Sequence, residues 1–135
     1  KAVKQLQLVQ NAAARVLTRT KRTEHITPVL RSLHWLPVNY RIDFKVLLLV
    51  YKSLNGMGPT HMSDLIPVYT PNRALRSLGN NQLVEPWVRT KHGGDAFSYY
   101  AAHIWNQLPQ DLRSAPTLVL FKTKLKALMY SSAFK

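Results

Sequence analysis

The segment from about Val38 to Leu54 restricts the fold of this chain more than any other part of the sequence. Apolar residues recur along it at helical spacing, and others make it apolar nearly all round: Tyr40, Phe44, Leu47, Leu48, Tyr51 and Leu54, with Val46, Leu49 and Val50. A helix of this composition is normally buried within a domain. Leu36 and Pro37 separate it from the preceding segment, because the residue before a proline avoids helical backbone angles. Gly56 suits a left-handed cap at its end.

The first segment, residues 2–19, has the pattern of an amphipathic helix. Its apolar face consists of Leu6, Val9, Ala13, Val16 and Leu17, with Lys4, Gln7, Gln10 and Arg15 around it. The apolar stripe is the face that such a helix normally turns toward a core.

Further helices are predicted over residues 27–33, 59–66 and 95–106, and from Thr117 onward. Thr27, Asp95 and Thr117 are the predicted N-caps, since their side chains accept hydrogen bonds from first-turn amides. The last helix combines an apolar seam with a basic face: Leu118, Phe121, Leu125 and Leu128 opposite Lys122, Lys124 and Lys126. Trp35 and Trp105 precede Leu-Pro steps at helix ends, and we expect both to be packing anchors.

Residues 72–94 have a different character from the rest of the chain. Their apolar positions are Leu75, Leu78, Leu83, Val84 and Val88, interrupted by a Gly-Asn-Asn turn at 79–81. This pattern predicts two short extended segments, and Pro86 confines the second to an edge or a bulge. The predicted fold is therefore mainly α, a small helical domain with a short extended or β-hairpin insert near residues 73–90. At 135 residues we expect a single domain, 1–135.

The charge balance favours a polyanionic partner. The chain carries 19 Lys and Arg against 6 Asp and Glu, a net charge of +13, yet 46% of its residues are hydrophobic. The hydrophobic content argues for a packed core and against a disordered basic tail. A compact domain with this excess attracts nucleic acid first and anionic membranes second. No predicted helix combines a strong basic face with a wide exposed apolar one, so we expect no membrane partner.

The residue types and motifs of this chain give little support for an enzyme active site. The absence of cysteine excludes disulfides, thiol nucleophiles and cysteine-containing zinc sites. The five histidines lack partners at the spacing of metal ligands, and no Gly-x-Ser-x-Gly turn is present. The Gly-Met-Gly-Pro stretch at 56–59 lacks the lysine of a phosphate-binding loop. We expect no catalytic residue, metal ion or cofactor in this chain.

Three basic clusters are the candidate nucleic-acid contacts. They are Arg15, Arg19, Lys21 and Arg22; then Arg73, Arg76, Arg89 and Lys91, with His92 nearby; and lastly Lys122 and Lys126 with Lys124 between them. A helix C-terminus already favours cations, which explains part of the first cluster, and a solvated helix face would explain the third. In the second, paired segments would form a ribbon that follows phosphates, with Tyr69 and Trp87 as stacking surfaces for bases.

Seven short phrases also occur in a distinctive order along the chain. They are the segments 8–15, 25–28, 33–37, 71–77, 96–100, 104–109 and 121–126, which read LVQNAAAR, HITP, LHWLP, PNRALRS, AFSYY, IWNQLP and FKTKLK. Together they resemble the region that follows the polymerase core in LINE-type, jockey-like non-LTR retrotransposon reverse transcriptases. The chain departs from that pattern at Asp95, where a small or basic residue is usual, and at Ala102, where a proline is usual.

The resemblance implies a non-catalytic, C-terminal fragment of an RNA-directed DNA polymerase, joined to an upstream polymerase domain. The polymerase palm of that family holds two metal ions with adjacent aspartates, and this chain has no such pair. The implied role is to hold template RNA or RNA–DNA product, in the nucleus and cytoplasm as a ribonucleoprotein. Two alternatives stay open: an element that braces the polymerase through the apolar segment 38–54, or a translated remnant without present function, which the departures at Asp95 and Ala102 favour.

Overall fold

Helices account for most of the fold, which confirms the mainly α prediction. A computed structural model describes residues 1–76 and 79–135. The described residues form eight helices, which are α1 (Ala2–Thr18), α2 (Ile26–Ser32), α3 (Val38–Leu54), α4 (Thr60–Leu65), α5 (Lys91–Gly94), α6 (Phe97–Asn106), α7 (Gln110–Arg113) and α8 (Leu118–Ala133). The bounds of α3 match those predicted from its apolar pattern.

The chain divides into two compact units. The terminal unit comprises Lys1–Phe44 and Leu125–Lys135, and the central unit comprises Lys45–Lys124. Both boundaries fall within helices, α3 and α8.

In the terminal unit, α1 leaves its apolar stripe exposed and turns a neighbouring face, which includes Gln10, inward. Its buried residues are Gln10 and Ala14, whereas Val9 and Val16 are 67% and 79% exposed. The Gln10 amide donates to the carbonyl of Leu36 (2.8 Å), and the Gln7 side chain accepts from the amide of Val38 (2.8 Å). The break before α3 leaves backbone groups without helical partners, and the side chains of Gln7 and Gln10 satisfy two of them.

Two of the three predicted N-caps are wrong. Helix α2 begins at Ile26 with His25 as N-cap, so Thr27 lies inside its first turn. Asp95 ends the additional helix α5, whose N-cap is Thr90; the Thr90 hydroxyl accepts from the amide of Gly93 (3.1 Å). Thr90 thus starts a helical turn upstream of the position expected from Asp95. Thr117 is confirmed, since its hydroxyl accepts from the amide of Leu120 (3.2 Å).

An aromatic cluster forms the centre of the central unit. Tyr51 and Phe121 stack with ring centroids 4.3 Å apart, and Trp105 lies 5.8 Å from Phe121. The Tyr51 hydroxyl donates to the carbonyl of Ala115 (2.7 Å), and the Trp105 indole donates to that of Asn81 (2.7 Å). Buried Tyr and Trp need such partners for their polar atoms. Trp105 is fully buried, as expected of a packing anchor, whereas Trp35 is half-buried.

The non-helical insert pairs differently from the hairpin suggested by its turn residues. Between α4 and α5 the described residues form no helix, and their one antiparallel bridge joins Val68 to Leu83. Leu83 therefore pairs with a residue upstream of the predicted 73–90 insert. Leu78, an expected member of the first extended segment, lies outside the described residues, as does Ser77.

The side chain of Asn106, at the end of α6, bonds to both backbone groups of Leu83, as a neighbouring strand would. Its side-chain oxygen accepts from the Leu83 amide (2.8 Å), and its side-chain nitrogen donates to the Leu83 carbonyl (2.9 Å). The same nitrogen donates to the carboxylate of Glu85 (3.0 Å). One asparagine therefore holds the start of the 83–89 segment against α6.

We expect Asn106→Ala to destabilise the protein by about 2 kcal/mol, because the buried backbone groups of Leu83 lose both partners. Urea denaturation followed by circular dichroism measures the change. Gln110→Ala, which removes an exposed amide side chain of the same unit, is the matched control. Equal stability of the two variants would mean that the asparagine does not hold this segment.

Candidate nucleic-acid interface

The segment that follows Leu83 carries an exposed indole beside an arginine. Trp87 is 79% exposed, and the guanidinium carbon of Arg89 lies 5.1 Å from the centroid of its ring. Single exposed apolar side chains are common on protein surfaces, and Trp87 is distinguished by the guanidinium that lies over its ring. A cation over an aromatic face is attracted by the ring electrons, so the pair consists of an exposed indole with a positive charge over one of its faces. We name Trp87 and Arg89 the Trp–Arg pair.

The residues before the Trp–Arg pair are tied to α6 by polar contacts. The Glu85 carboxylate accepts a hydrogen bond from the Asn106 side chain (3.0 Å) and lies 3.3 Å from Nδ1 of the His103 imidazole. His103 also stacks on Tyr99 with ring centroids 5.6 Å apart and meets the Gln107 amide (3.0 Å). This network restrains the backbone two residues before Trp87, so the indole extends from an anchored segment.

The other predicted residues of the second cluster are exposed but are not paired as expected. Arg73, Arg76 and Lys91 lie on the surface of the central unit. The observed pairing joins other residues, since the Tyr69 amide donates to the carbonyl of Gln82 (2.8 Å). Because this pairing uses residues 67–69, the described residues show no ribbon between the Arg73–Arg76 stretch and the segment of Arg89. Tyr69 itself is 47% exposed, which keeps its ring accessible to a base.

The first cluster has a partly structural role in the terminal unit. Arg15 donates to the carbonyls of Lys21 and Glu24, and so closes the connector after α1. Arg19 adopts the left-handed C-cap conformation of α1 (φ 54°), where its backbone amide bonds to the carbonyl of Arg15. Lys21 and Arg22 are exposed. The guanidinium of Arg15 is therefore engaged within the protein, while the connector presents the accessible cations.

The third cluster is divided between the two units. Lys122 lies in the central unit and Lys126 in the terminal unit, and both are exposed. Lys124 forms an ion pair with Asp111 (3.4 Å). A surface pair of this kind contributes little to stability, yet it lowers the positive charge around Lys124.

Two residues of structural importance were not among the sequence candidates. Asn106 positions the segment of the Trp–Arg pair, and an asparagine at a helix end carries no signal for that role. Arg113, the last residue of α7, is buried. A four-residue helix is too short to show an apolar period, so the sequence gave no reason to expect that Arg113 is buried.

Charge and composition fit the surface just described. The central unit carries nine Lys and Arg against four Asp and Glu, and the terminal unit carries ten against two. Among the described residues, no group of three His, Asp or Glu side chains comes together as metal ligands would. No helix in residues 1–76 and 79–135 is long and apolar enough to cross a membrane.

The chain matches none of the protein-family models, curated proteins or solved structures with which it was compared.

We expect Arg15→Gln to increase cleavage of the connector at Lys21 and Arg22, because the shorter amide side chain does not hold both carbonyls of residues 21 and 24. Loops released from such contacts are the preferred sites of proteolysis. Limited trypsin digestion with mass spectrometry of the fragments measures the rate. Lys4→Gln, an exposed position on the same helix, should cleave at the wild-type rate. An unchanged rate in Arg15→Gln would show that the connector is held by other contacts.

Proposed function

We propose that this chain is a non-catalytic C-terminal segment of a non-LTR retrotransposon reverse transcriptase, which binds template RNA or RNA–DNA product through basic residues. The observation that carries the proposal is the Trp–Arg pair, an indole 79% exposed with a guanidinium 5.1 Å from its centroid. The ordered sequence phrases and the net charge of +13 support it independently.

The Trp–Arg pair has the groups needed to bind one nucleotide of a single-stranded nucleic acid. Every base has an aromatic face that stacks on an indole without regard to sequence. A base would stack on the indole face opposite Arg89, and the guanidinium would contact a neighbouring phosphate. Lys91, Arg73 and Arg76 supply further charge on the same unit. Binding of this type tolerates sequence changes and weakens with salt, because counterions are released from the strand.

The parent protein would supply what this chain does not. The polymerase palm, with its adjacent aspartates, and the endonuclease belong to other parts of such a polypeptide, so this chain holds RNA or hybrid without acting as an enzyme. Its partners are then nucleic acid and the upstream polymerase domain, in a ribonucleoprotein of the nucleus and cytoplasm.

We expect Trp87→Ala to weaken binding of single-stranded RNA by about 1–3 kcal/mol, the range for loss of one stacked base. The slope of log K against log salt is negative. The Arg73/Arg76/Arg89 triple alanine variant should reduce its magnitude by about 2, if each arginine contacts one phosphate. Fluorescence anisotropy with labelled RNA, at four or more salt concentrations, measures both effects. Duplex DNA and an RNA–DNA hybrid, titrated in parallel, report the preferred strand type.

A control variant with the same loss of charge separates contact from net charge. Lys4, Arg41 and Lys135 are exposed residues of the terminal unit, and their replacement by alanine also removes three charges. This variant should keep most of the wild-type affinity. If both triple variants lose affinity equally, or if Trp87→Ala binds like wild type, the Trp–Arg pair is not the contact surface.

A second candidate function is a bracing element of the polymerase, and a specific observation favours it. Helix α1 exposes Leu6, Val9 and Leu17 (54–67%), and it contains Lys4 and Arg15 but no acidic residue. The complementary surface would be an apolar helix with acidic flanks on the upstream polymerase, since a second copy of α1 would bring like charges together. The proposed docking face is therefore α1, and not the segment 38–54, whose Leu47, Val50 and Tyr51 are buried.

For this second candidate we expect the double variant Val9→Gln/Val16→Gln to leave the free energy of unfolding within about 0.5 kcal/mol of wild type, as at other exposed positions. Leu30→Gln, at a buried position of α2, should unfold far more easily. The double variant should also bind less hydrophobic dye than the wild type, whose apolar α1 residues are exposed. A monomeric wild-type chain that binds no hydrophobic dye would count against bracing.

A further inference from the structure

The terminal unit carries a small aromatic cluster at the point where α2 ends. The imidazole of His34 stacks on the ring of Tyr130, with centroids 5.5 Å apart and ring planes 16° from parallel. The ring of Phe134 lies 4.8 Å from that of Tyr130. His34 is exposed, whereas Tyr130 and Phe134 are half-buried. We name His34, Tyr130 and Phe134 the His34 stack.

The backbone of His34 adopts a conformation in which glycine is the usual residue. His34 directly follows Leu33, the C-cap of α2, and its φ is 55°. The amide of Trp35 donates to the carbonyl of Leu30 (2.9 Å), which completes a left-handed helix ending. A side chain at such a position strains the backbone, and glycine avoids that strain. Because residues strained in this way cluster at functional sites, we looked for a role of the imidazole.

Contacts within the protein use only part of the imidazole. One of its faces lies toward Tyr130, and no described residue forms a hydrogen bond with either ring nitrogen of His34. Tyr130, by contrast, donates its hydroxyl to the carbonyl of Arg31 (2.9 Å). The same carbonyl accepts from the His34 amide (3.1 Å). The ring beneath the imidazole is therefore fixed to the end of α2, while the imidazole itself stays accessible to a ligand.

The surroundings of the His34 stack are positively charged. Arg31 is exposed, and its backbone carbonyl is the group to which both His34 and Tyr130 bond. The terminal unit as a whole carries ten Lys and Arg against two Asp and Glu. A ligand that complements an exposed aromatic ring and this charge combines a flat ring with negative charge, which is the chemistry of a nucleotide.

We propose that the His34 stack binds a nucleobase of a single-stranded nucleic acid, with Arg31 contacting a neighbouring phosphate. Bases stack on histidine as they do on other aromatic side chains, and such stacking tolerates changes of sequence. The base would lie on the imidazole face away from Tyr130 and so extend the stack by one ring. This inference rests on the proposed function for the class of its ligand, but it uses neither Trp87 nor Arg89.

The variant His34→Gly removes the ring and keeps the backbone conformation that carries it. Glycine suits the left-handed position, so relief of strain offsets the lost ring contact, and we expect the variant to fold like the wild type. Its affinity for labelled single-stranded RNA should fall at least about fivefold, the lower limit for loss of one stacked base. His25→Gly, which removes an exposed imidazole of the same unit, should bind like the wild type. Circular dichroism and fluorescence anisotropy of the full chain measure folding and binding.

A structural role of His34 gives a different result. It would lower the unfolding temperature of His34→Gly and leave the RNA affinity of the folded variant unchanged, and that affinity would overturn the proposal. If the glycine variant does not fold, His34→Asn takes its place, because asparagine also tolerates the left-handed conformation and lacks the aromatic ring. The same loss of RNA affinity is expected from it.

Nuclear magnetic resonance of the wild-type protein tests the stacking directly. Adenosine monophosphate should move the imidazole proton resonances of His34 upfield in a saturable way, because a stacked base shields the protons that it covers. Ribose 5-phosphate offers the phosphate without the base and should move them less. Equal shifts with both compounds would reject base stacking, and no shift with either would overturn the proposal.

The variant Trp87→Ala, measured in parallel, distinguishes failure of this inference from failure of the proposed function. If Trp87→Ala weakens RNA binding and His34→Gly does not, the Trp–Arg pair stands and the His34 site is rejected. If only His34→Gly weakens binding, the His34 stack is the contact surface and the Trp–Arg pair is not. A wild-type chain that binds no RNA would reject both.

Discussion

The fully buried indole of Trp105 connects the parts of the central unit that carry chemistry. Its ring packs beside Phe121, which stacks on Tyr51, and its nitrogen bonds to the carbonyl of Asn81. The next residue, Asn106, holds Leu83 at both backbone groups. The 81–89 segment therefore takes its position from the end of α6. The Trp–Arg pair depends on that arrangement.

Two arginines of this unit are placed under opposite physical conditions. Arg89 remains in solvent over an exposed indole, so it keeps its hydration and can exchange counterions with a strand at small cost. Arg113 is buried, and its Nε and Nη1 atoms have no hydrogen-bond partner. The arrangement of Arg89 suits weak, sequence-tolerant contacts.

The terminal unit shows how backbone demands override an amphipathic pattern. Leu6, Val9 and Val16 predict the inward face of α1, yet Gln7 and Gln10 turn inward because the 36–38 break needs partners for an amide and a carbonyl. Periodicity locates a helix and its apolar stripe, but it does not say which neighbour the stripe meets. The exposed stripe is then free for another surface, which is the basis of the bracing hypothesis.

Local signals in the sequence determined the helical class, the bounds of α3, the Thr117 cap and the burial of Trp105, because apolar period and cap chemistry act over a few residues. The ten basic candidates were also visible as charge, but their surroundings were not. Only the tertiary structure placed Arg89 on Trp87, engaged Arg15 with its connector, paired Leu83 with Val68 and buried Arg113. The pairing of Leu83 and the burial of Arg113 depend on residues that lie apart in the sequence, and the Trp87 and Arg15 contacts depend on loop backbone that no apolar period describes. Packing and hydrogen-bond satisfaction of the whole unit decide between such local alternatives.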